Sequence, residues 1–131
     1  MSGTATTTIL VVEDDPIIRI DIEQTLEHAG YTVHVASDGL EAIYMARQRN
    51  PDLIVIDLGL PRLDGVETTR WIQEELRIPV IALTGRPARY AAKVIKAGAT
   101  SCLYKPFHPN ELAHAIATTL APALPQVSPQ D

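Results

Sequence analysis

Reactive polar side chains follow four separate apolar runs of this chain. Two runs end in carboxylates, one in a hydroxyl and one in an ammonium group; the residues are Glu13 and Asp14, Asp57, Thr84, and Lys105. Apolar runs of about five residues bounded by Gly or Pro are typical of strands buried on both faces. The carboxyl ends of parallel strands meet at one edge of a sheet, where ligands bind. These groups are therefore predicted to form one site.

The composition of this site favours magnesium-dependent phosphoryl transfer. Glu13, Asp14 and Asp57 would repel one another at close range, and a bound cation relieves that repulsion. Oxygen ligands with no His or Cys nearby favour Mg²⁺. A carboxylate can attack phosphorus while a metal ion, an ammonium and a hydroxyl share the phosphoryl oxygens. In isolation, Asp57 fits a turn or a helix cap equally well, but the other strand ends favour the chemical role.

Strand and helix patterns alternate along the whole chain. Apolar or alternating runs predict strands at residues 8–12, 31–36, 53–56, 80–83 and 101–104. Apolar residues at helical spacing predict helices at about 16–29, 40–49, 65–75, 89–97 and 109–120. Alternation with short connections indicates an α/β fold with helices on both faces of a parallel sheet. We predict a doubly wound five-stranded parallel sheet of the flavodoxin-like (βα)5 type, in the order 2-1-3-4-5.

Length and composition limit the classes of protein to consider. The 131 residues fit one domain, with a flexible N-terminus at 1–7, a folded domain at 8–120 and a Pro-rich tail at 121–131. A net charge of -5 without a dense Lys/Arg run argues against a nucleic-acid partner. No segment has the pattern of a membrane span or a secretory signal, and the single Cys102 excludes an internal disulfide. We therefore expect a cytoplasmic protein with neither a nucleic-acid nor a membrane partner.

The site motifs resemble those of bacterial two-component response-regulator receiver domains. The resemblance covers residues 8–120, and its motifs are Ile9 to Asp15, Pro51 to Asp57 with Leu60-Pro61 and Asp64-Gly65, Ile81 to Gly85, and Lys105 to Phe107. It implies that Asp57 accepts a phosphoryl group from a histidine kinase or a histidine phosphotransfer protein. Because no output domain follows residue 120 in this sequence, we expect a stand-alone, single-domain regulator that is not an enzyme. Such a regulator signals through phosphorylation-dependent contact with an unknown downstream protein, as a monomer or a phosphorylation-dependent dimer.

The same resemblance assigns roles to individual residues. Thr84 and Lys105 would contact the phosphoryl group, and the peptide bond between Lys105 and Pro106 is expected to be cis. The Mg²⁺ ion would be bound by four residues: Glu13, Asp14, Asp57 and, through its backbone carbonyl, Gly59.

Cys102 departs from the family pattern, which has Tyr or Phe three residues before the Lys. Because that aromatic ring turns inward when the Thr moves toward phosphate, we expect a weaker or rerouted switch here. Tyr104, on the same face of the strand, is expected to take over part of the role.

Two alternatives remain: a pseudo-receiver that binds partners without phosphate, and a phosphatase of the haloacid dehalogenase type. The complete set of site residues counts against the first, and Glu13-Asp14-Asp15 does not match the Asp pair of the second.

Overall fold

Five parallel strands alternate with five helices over the residues that the structure, a computed structural model, describes, which are 6–60, 62–85 and 88–121. The strands β1 to β5 are Thr8–Val12, Thr32–Ala36, Leu53–Asp57, Val80–Thr84 and Ser101–Tyr104. The helices α1 to α5 are Pro16–His28, Gly39–Arg49, Gly65–Glu75, Ala88–Lys96 and Pro109–Leu120. The sheet has the order β2-β1-β3-β4-β5, which confirms the predicted topology.

Carboxylates placed just before the helices determine where several of them begin. Asp15 caps α1 and accepts hydrogen bonds from the backbone N–H groups of Ile17 and Ile18, at 2.9 and 3.3 Å. Asp38 and Asp64 cap α2 and α3 in the same way. A carboxylate at this position satisfies amide groups that have no partner inside the helix. Asp64 therefore has a structural role, although it lies close in sequence to Asp57.

The hydrophobic core lies in two layers, one on each face of the sheet. Leu53 and Val55 of β3 belong to the layer beneath α1 and α5, whereas Ile54 and Ile56 belong to the layer beneath α2, α3 and α4. All four side chains are 0% exposed, and the burial of each contributes roughly 1.5–3 kcal/mol. Successive side chains of a strand point to opposite faces, so β3 is packed from both sides. This packing fixes the position of Asp57 at its end.

Some of the sequence predictions fall on residues outside the described ranges. These residues are 1–5 of the N-terminus, Pro61 of the Leu60-Pro61 motif and 122–131 of the tail. The flexible N-terminus and the boundary of the Pro-rich tail remain predictions. None of the described helices is both long enough and apolar enough to cross a membrane.

The approach of α3 to the strand that carries Asp57 depends on Gly65. A Cβ atom on Gly65 would lie 2.6 Å from the Cα of Leu58 and 2.7 Å from the carbonyl oxygen of Asp57. Because both are backbone atoms, Gly65→Ala is expected to displace α3 and to lower the free energy of unfolding by about 1–3 kcal/mol. The matched control is Gly85→Ala, whose Cβ would have the Cβ of Lys105 at 3.9 Å as its nearest contact. Urea unfolding of both variants checks this, and equal stabilities would contradict it.

Candidate functional site

Four strand ends bring the predicted site residues to one edge of the sheet. Glu13 and Asp14 directly follow β1, and Asp57 is the last residue of β3. Thr84 ends β4, and Lys105 directly follows β5. The neighbouring strands are parallel, so their carboxyl ends lie side by side. The structure thus places together the groups that the sequence pattern assigned to one site.

Lys105 provides the positive charge between two carboxylates. Its Nζ atom lies 3.4 Å from Oε1 of Glu13 and 3.4 Å from Oδ1 of Asp57. The two carboxylates are almost buried, at 1% and 8% exposed. Ion pairs in such an environment are screened far less by water than pairs on the surface. The ammonium group is therefore held where it can balance part, but not all, of the negative charge.

The surroundings of Glu13 disfavour its ionised form. Burial first, and the charge of Asp57 second, raise its pKa from the ordinary 4.5 to about 7. The backbone N–H of Asp15 donates to its Oε2 atom at 3.2 Å, which works in the opposite direction. Arg19 donates to the backbone carbonyl of Glu13 at 2.9 Å and fixes the chain at this point. The hydrogen bond from Asp15 thus holds the Glu13 carboxylate in place, but it does not offset the rise in pKa that burial and the charge of Asp57 cause.

The oxygen atoms of three carboxylates are close enough to share one cation. Glu13, Asp14 and Asp57 each offer an oxygen, and these atoms lie within 4.8 Å of one another. Asp14 is exposed and leaves room for water on the outer side, as a hydrated hard ion requires. The amide of Gly59 donates to Oδ1 of Asp57 at 3.3 Å. The donor set fits Mg²⁺, while the role of the Gly59 carbonyl remains a prediction.

Thr84 and Lys105 are linked through the backbone at the next strand end. The side chain of Thr84 is buried, and its carbonyl accepts a hydrogen bond from the backbone N–H of Lys105 at 2.7 Å. The peptide bond between Lys105 and Pro106 is cis, as expected from the resemblance. The hydroxyl of Thr84 and the ammonium of Lys105 are therefore carried by strand ends that are hydrogen-bonded to each other.

Arg62 anchors the loop that follows Asp57, a contact that the sequence analysis did not find. Its Nε and Nη2 atoms donate to Oδ2 of Asp38 at 3.1 and 2.6 Å. Arg62 has a left-handed backbone conformation with φ of 68°, which is unusual for a residue with a side chain. The backbone N–H of Glu41, assisted by Arg62, lowers the pKa of Asp38. The turn at Asp38 was recognisable in the sequence, but nothing there linked it to residue 62.

Cys102 lies in the middle of β5, paired in register with Ala82 of β4. Its side chain is half-buried against the core layer beneath α3 and α4, and burial raises the pKa of the thiol. Tyr104, two residues further on, is 50% exposed. The thiol thus occupies an interior position and the aromatic ring an outer one. The rerouted switch expected from this pair remains a prediction.

Residues 9–117 match the family described as the response regulator receiver domain. The chain belongs to this family. Receiver domains are signalling domains, in agreement with the resemblance seen in the motifs. The solved structure of the chemotaxis response regulator CheY4 of Vibrio cholerae is similar to this receiver domain, with a TM-score of 0.83 and 30% identity over 88% of this chain and 100% of that chain.

Two curated relatives of this receiver domain are regulators of transcription. The alkaline phosphatase synthesis transcriptional regulatory protein PhoP of Bacillus subtilis (strain 168) is 40% identical over 106 residues, which are 79% of this chain and 44% of that protein. The transcriptional regulatory protein PhoP of Escherichia coli (strain K12) is 36% identical over 106 residues, which are 79% of this chain and 48% of that protein. The chain thus spans about half the length of these relatives.

The expectation that this protein has no nucleic-acid partner is wrong. It is overturned by the relatives, which are transcriptional regulatory proteins and about twice as long as the part that matches this receiver domain. The error has a physical reason: a net charge of -5 constrains the surface of the residues that carry it, and not the partners of a protein that contains them. The expectation of a stand-alone regulator remains a prediction.

The burial of Glu13 predicts a pH dependence of stability in metal-free buffer. The folded state keeps the proton on Glu13 up to about pH 7, whereas the unfolded chain loses it near the ordinary pKa of 4.5. Stability from this group is therefore highest below pH 4.5 and falls as the pH rises to about 7. Glu13→Gln removes this titration. As the pH rises from 4.5 to about 7, the free energy of unfolding of the variant should therefore increase by on the order of 3 kcal/mol relative to that of the wild type.

Denaturant unfolding at a series of pH values in the presence of a chelator measures this gain. Asp21→Asn, which removes an exposed carboxylate of α1, is the control and should follow the wild-type profile. Parallel profiles for Glu13→Gln and the wild type would show that ionisation of Glu13 does not cause the loss of stability.

Proposed function

We propose that this receiver domain is a phospho-acceptor whose Asp57 takes a phosphoryl group from a phosphohistidine of a histidine kinase or a phosphotransfer protein. The observation that carries the proposal is the position of Asp57. It closes the central strand, is one of three carboxylates that can share a cation, and has the ammonium of Lys105 at 3.4 Å. A nucleophile, a cation site and a positive charge at one edge are the components that phosphoryl transfer requires.

In the proposed reaction, a carboxylate oxygen of Asp57 attacks phosphorus. An oxygen–phosphorus bond forms and the phosphorus–nitrogen bond of phosphohistidine breaks. The electron pair of the broken bond goes to the imidazole nitrogen, which takes a proton from solvent. Glu13, Asp14, Asp57 and the carbonyl of Gly59 would hold a Mg²⁺ ion, which would neutralise charge on the phosphoryl oxygens.

Lys105 and Thr84 are proposed to bind the phosphoryl group once it is attached. In the structure, Lys105 is shared between Glu13 and Asp57. Its Nζ atom needs only a short shift to contact a phosphoryl oxygen on Asp57, with Glu13 holding it nearby. The hydroxyl of Thr84, at the neighbouring strand end, would donate to a second oxygen. Both contacts would be made to the modified state, so they would stabilise it relative to the unmodified one.

We propose that the phosphorylation state is transmitted to an output directed at nucleic acid. The support is the relationship to transcriptional regulatory proteins that share the receiver region and are about twice as long as that region. In this proposal the receiver domain provides the phosphorylation-dependent state, and nucleic-acid contact is made outside the receiver domain.

Substitution of the acceptor tests the proposal directly. Incubation of the wild type with a small acyl phosphate and Mg²⁺ should add a single base-labile phosphoryl group, and Asp57→Asn should remove it. Asp52→Asn is the matched control, because Asp52 directly precedes β3 at the end opposite Asp57 and accepts from the N–H of Thr8 at 2.8 Å. Intact-protein mass spectrometry measures the added mass. Wild-type labelling of Asp57→Asn would overturn the assignment.

The cation site can be tested without phosphate. Mg²⁺ at about ten times its dissociation constant should stabilise the wild type by about 1.4 kcal/mol, and Asp14→Asn should lose that increment. Asp14→Asn also relieves repulsion, so the variant should not be destabilised in the absence of the ion. Asp21→Asn, an exposed control on α1, should keep the full increment. Thermal melts measure both effects, and equal Mg²⁺-dependent shifts in all the proteins would contradict the assignment of Asp14.

A further inference from the structure

The positive and negative charges of this chain are unevenly distributed along the sequence. Residues 76–110 contain no Asp or Glu. The same stretch contains more than half of the 11 Lys and Arg residues of the chain: Arg77, Arg86, Arg89, Lys93, Lys96 and Lys105. The charged residues of α4, which lies in the described part of this stretch, are therefore all basic, although the chain as a whole is acidic.

The charges of α4 are also ordered in space. Arg89, Lys93 and Lys96 recur at intervals of four and three residues, which places them on one side of the helix. Arg89 and Lys93 both lie close to the ring of Tyr90, at 5.2 and 5.3 Å from its centroid. The ion pairs found among the described residues involve other cations, namely Arg62, Arg70 and Lys105. The stripe therefore presents positive charge without an acidic partner from the described part of the chain.

Two residues of this stripe, Lys93 and Lys96, line a groove of about 370 Å³ between α3 and α4. Tyr90, Lys93 and Lys96 form one wall, while Leu58 and Val66 supply apolar surface on the other side. The groove thus combines a row of cations with an apolar strip.

The carboxylates on the α3 side of the groove are already engaged. Asp64 accepts a hydrogen bond from the N–H of Glu67 at 2.9 Å as the helix cap. Glu67 pairs with Arg70 at 2.5 Å. The two lysines opposite have no such compensation, so the charge that the groove offers to a ligand is positive.

We infer that this groove binds an acidic peptide segment of a partner protein. An α-helix rises about 1.5 Å per residue, which spaces Lys93 and Lys96, the two cations of α4 that line the groove, by about 4.5 Å along the axis, and their long side chains are flexible. An extended peptide repeats its side chains on one face about every 6.7 Å. A segment that alternates acidic and aliphatic residues can therefore direct carboxylates to α4 and aliphatic side chains to Leu58 and Val66.

Two other ligand classes fit this groove less well. A small-molecule site normally encloses most of its ligand, but Lys93, Lys96 and Glu67 are exposed and leave the groove open. A phosphodiester backbone is charged at every unit, so it would bring phosphates against Asp64 and Glu67. An alternating peptide can place uncharged residues there. Peptide binding in this groove goes beyond the proposed function, because it requires neither Mg²⁺ nor phosphorylated Asp57.

The test uses a short fluorescent peptide that alternates glutamate and valine, with unphosphorylated protein and no Mg²⁺. Fluorescence anisotropy should show saturable binding that weakens with added salt. The double variant Lys93→Glu/Lys96→Glu should weaken binding at least about tenfold, or about 1.4 kcal/mol. A peptide with glutamine in place of glutamate should bind correspondingly weakly.

The chain offers a closely matched control in Arg47→Glu/Arg49→Glu. These residues lie in the last turn of α2, just as Lys93 and Lys96 lie in the last turn of α4, so the change in net charge and helix-end environment is the same. Unchanged binding by this control, with both variants folded by circular dichroism, supports the groove. Equal losses in both variants, no binding by the wild type, or stronger competition by a DNA oligonucleotide than by unlabelled peptide would overturn the inference. None of these results depends on whether Asp57 is phosphorylated.

Discussion

Two buried carboxylates beside a single ammonium group are the constraint on which this receiver domain depends. Glu13 and Asp57 are almost excluded from water, and Lys105 lies 3.4 Å from an oxygen of each. Buried charge is costly unless an opposite charge compensates for it. One lysine cannot neutralise both groups together with Asp14. Burial first, and the charge of Asp57 second, raise the pKa of Glu13 to about 7. The fold therefore maintains an excess of negative charge at the sheet edge, which is the physical basis for the proposed requirement for Mg²⁺.

The fold and the gathering of site residues could be predicted because both follow from local patterns. The four-residue apolar run before Asp57 is buried on both faces, as a central parallel strand requires. Once the strands are parallel, their carboxyl ends must meet, so Glu13, Thr84 and Lys105 reach Asp57 without any knowledge of side-chain packing. Capping by Asp15 was predictable for the same reason, because a cap depends on residues within a single helical turn.

Features that depend on long-range packing were not predictable from the sequence. The contact between Arg62 and Asp38 joins residues 24 positions apart and requires a left-handed backbone at Arg62. The groove between α3 and α4 arises only when two helices are packed side by side on the sheet. The prediction about nucleic acid failed for a different reason. It used the charge of one domain to judge the partners of proteins in which that domain is only about half of the chain.

The two-layered core has a steric consequence. Side chains from α1 and α5 pack on one face of the sheet, and those from α2, α3 and α4 pack on the other. A molecule seated on α1 and α5 is therefore separated from the groove between α3 and α4 by the full thickness of the sheet. A partner bound on one face would leave the other face accessible, so the fold places no steric bar on a ternary complex.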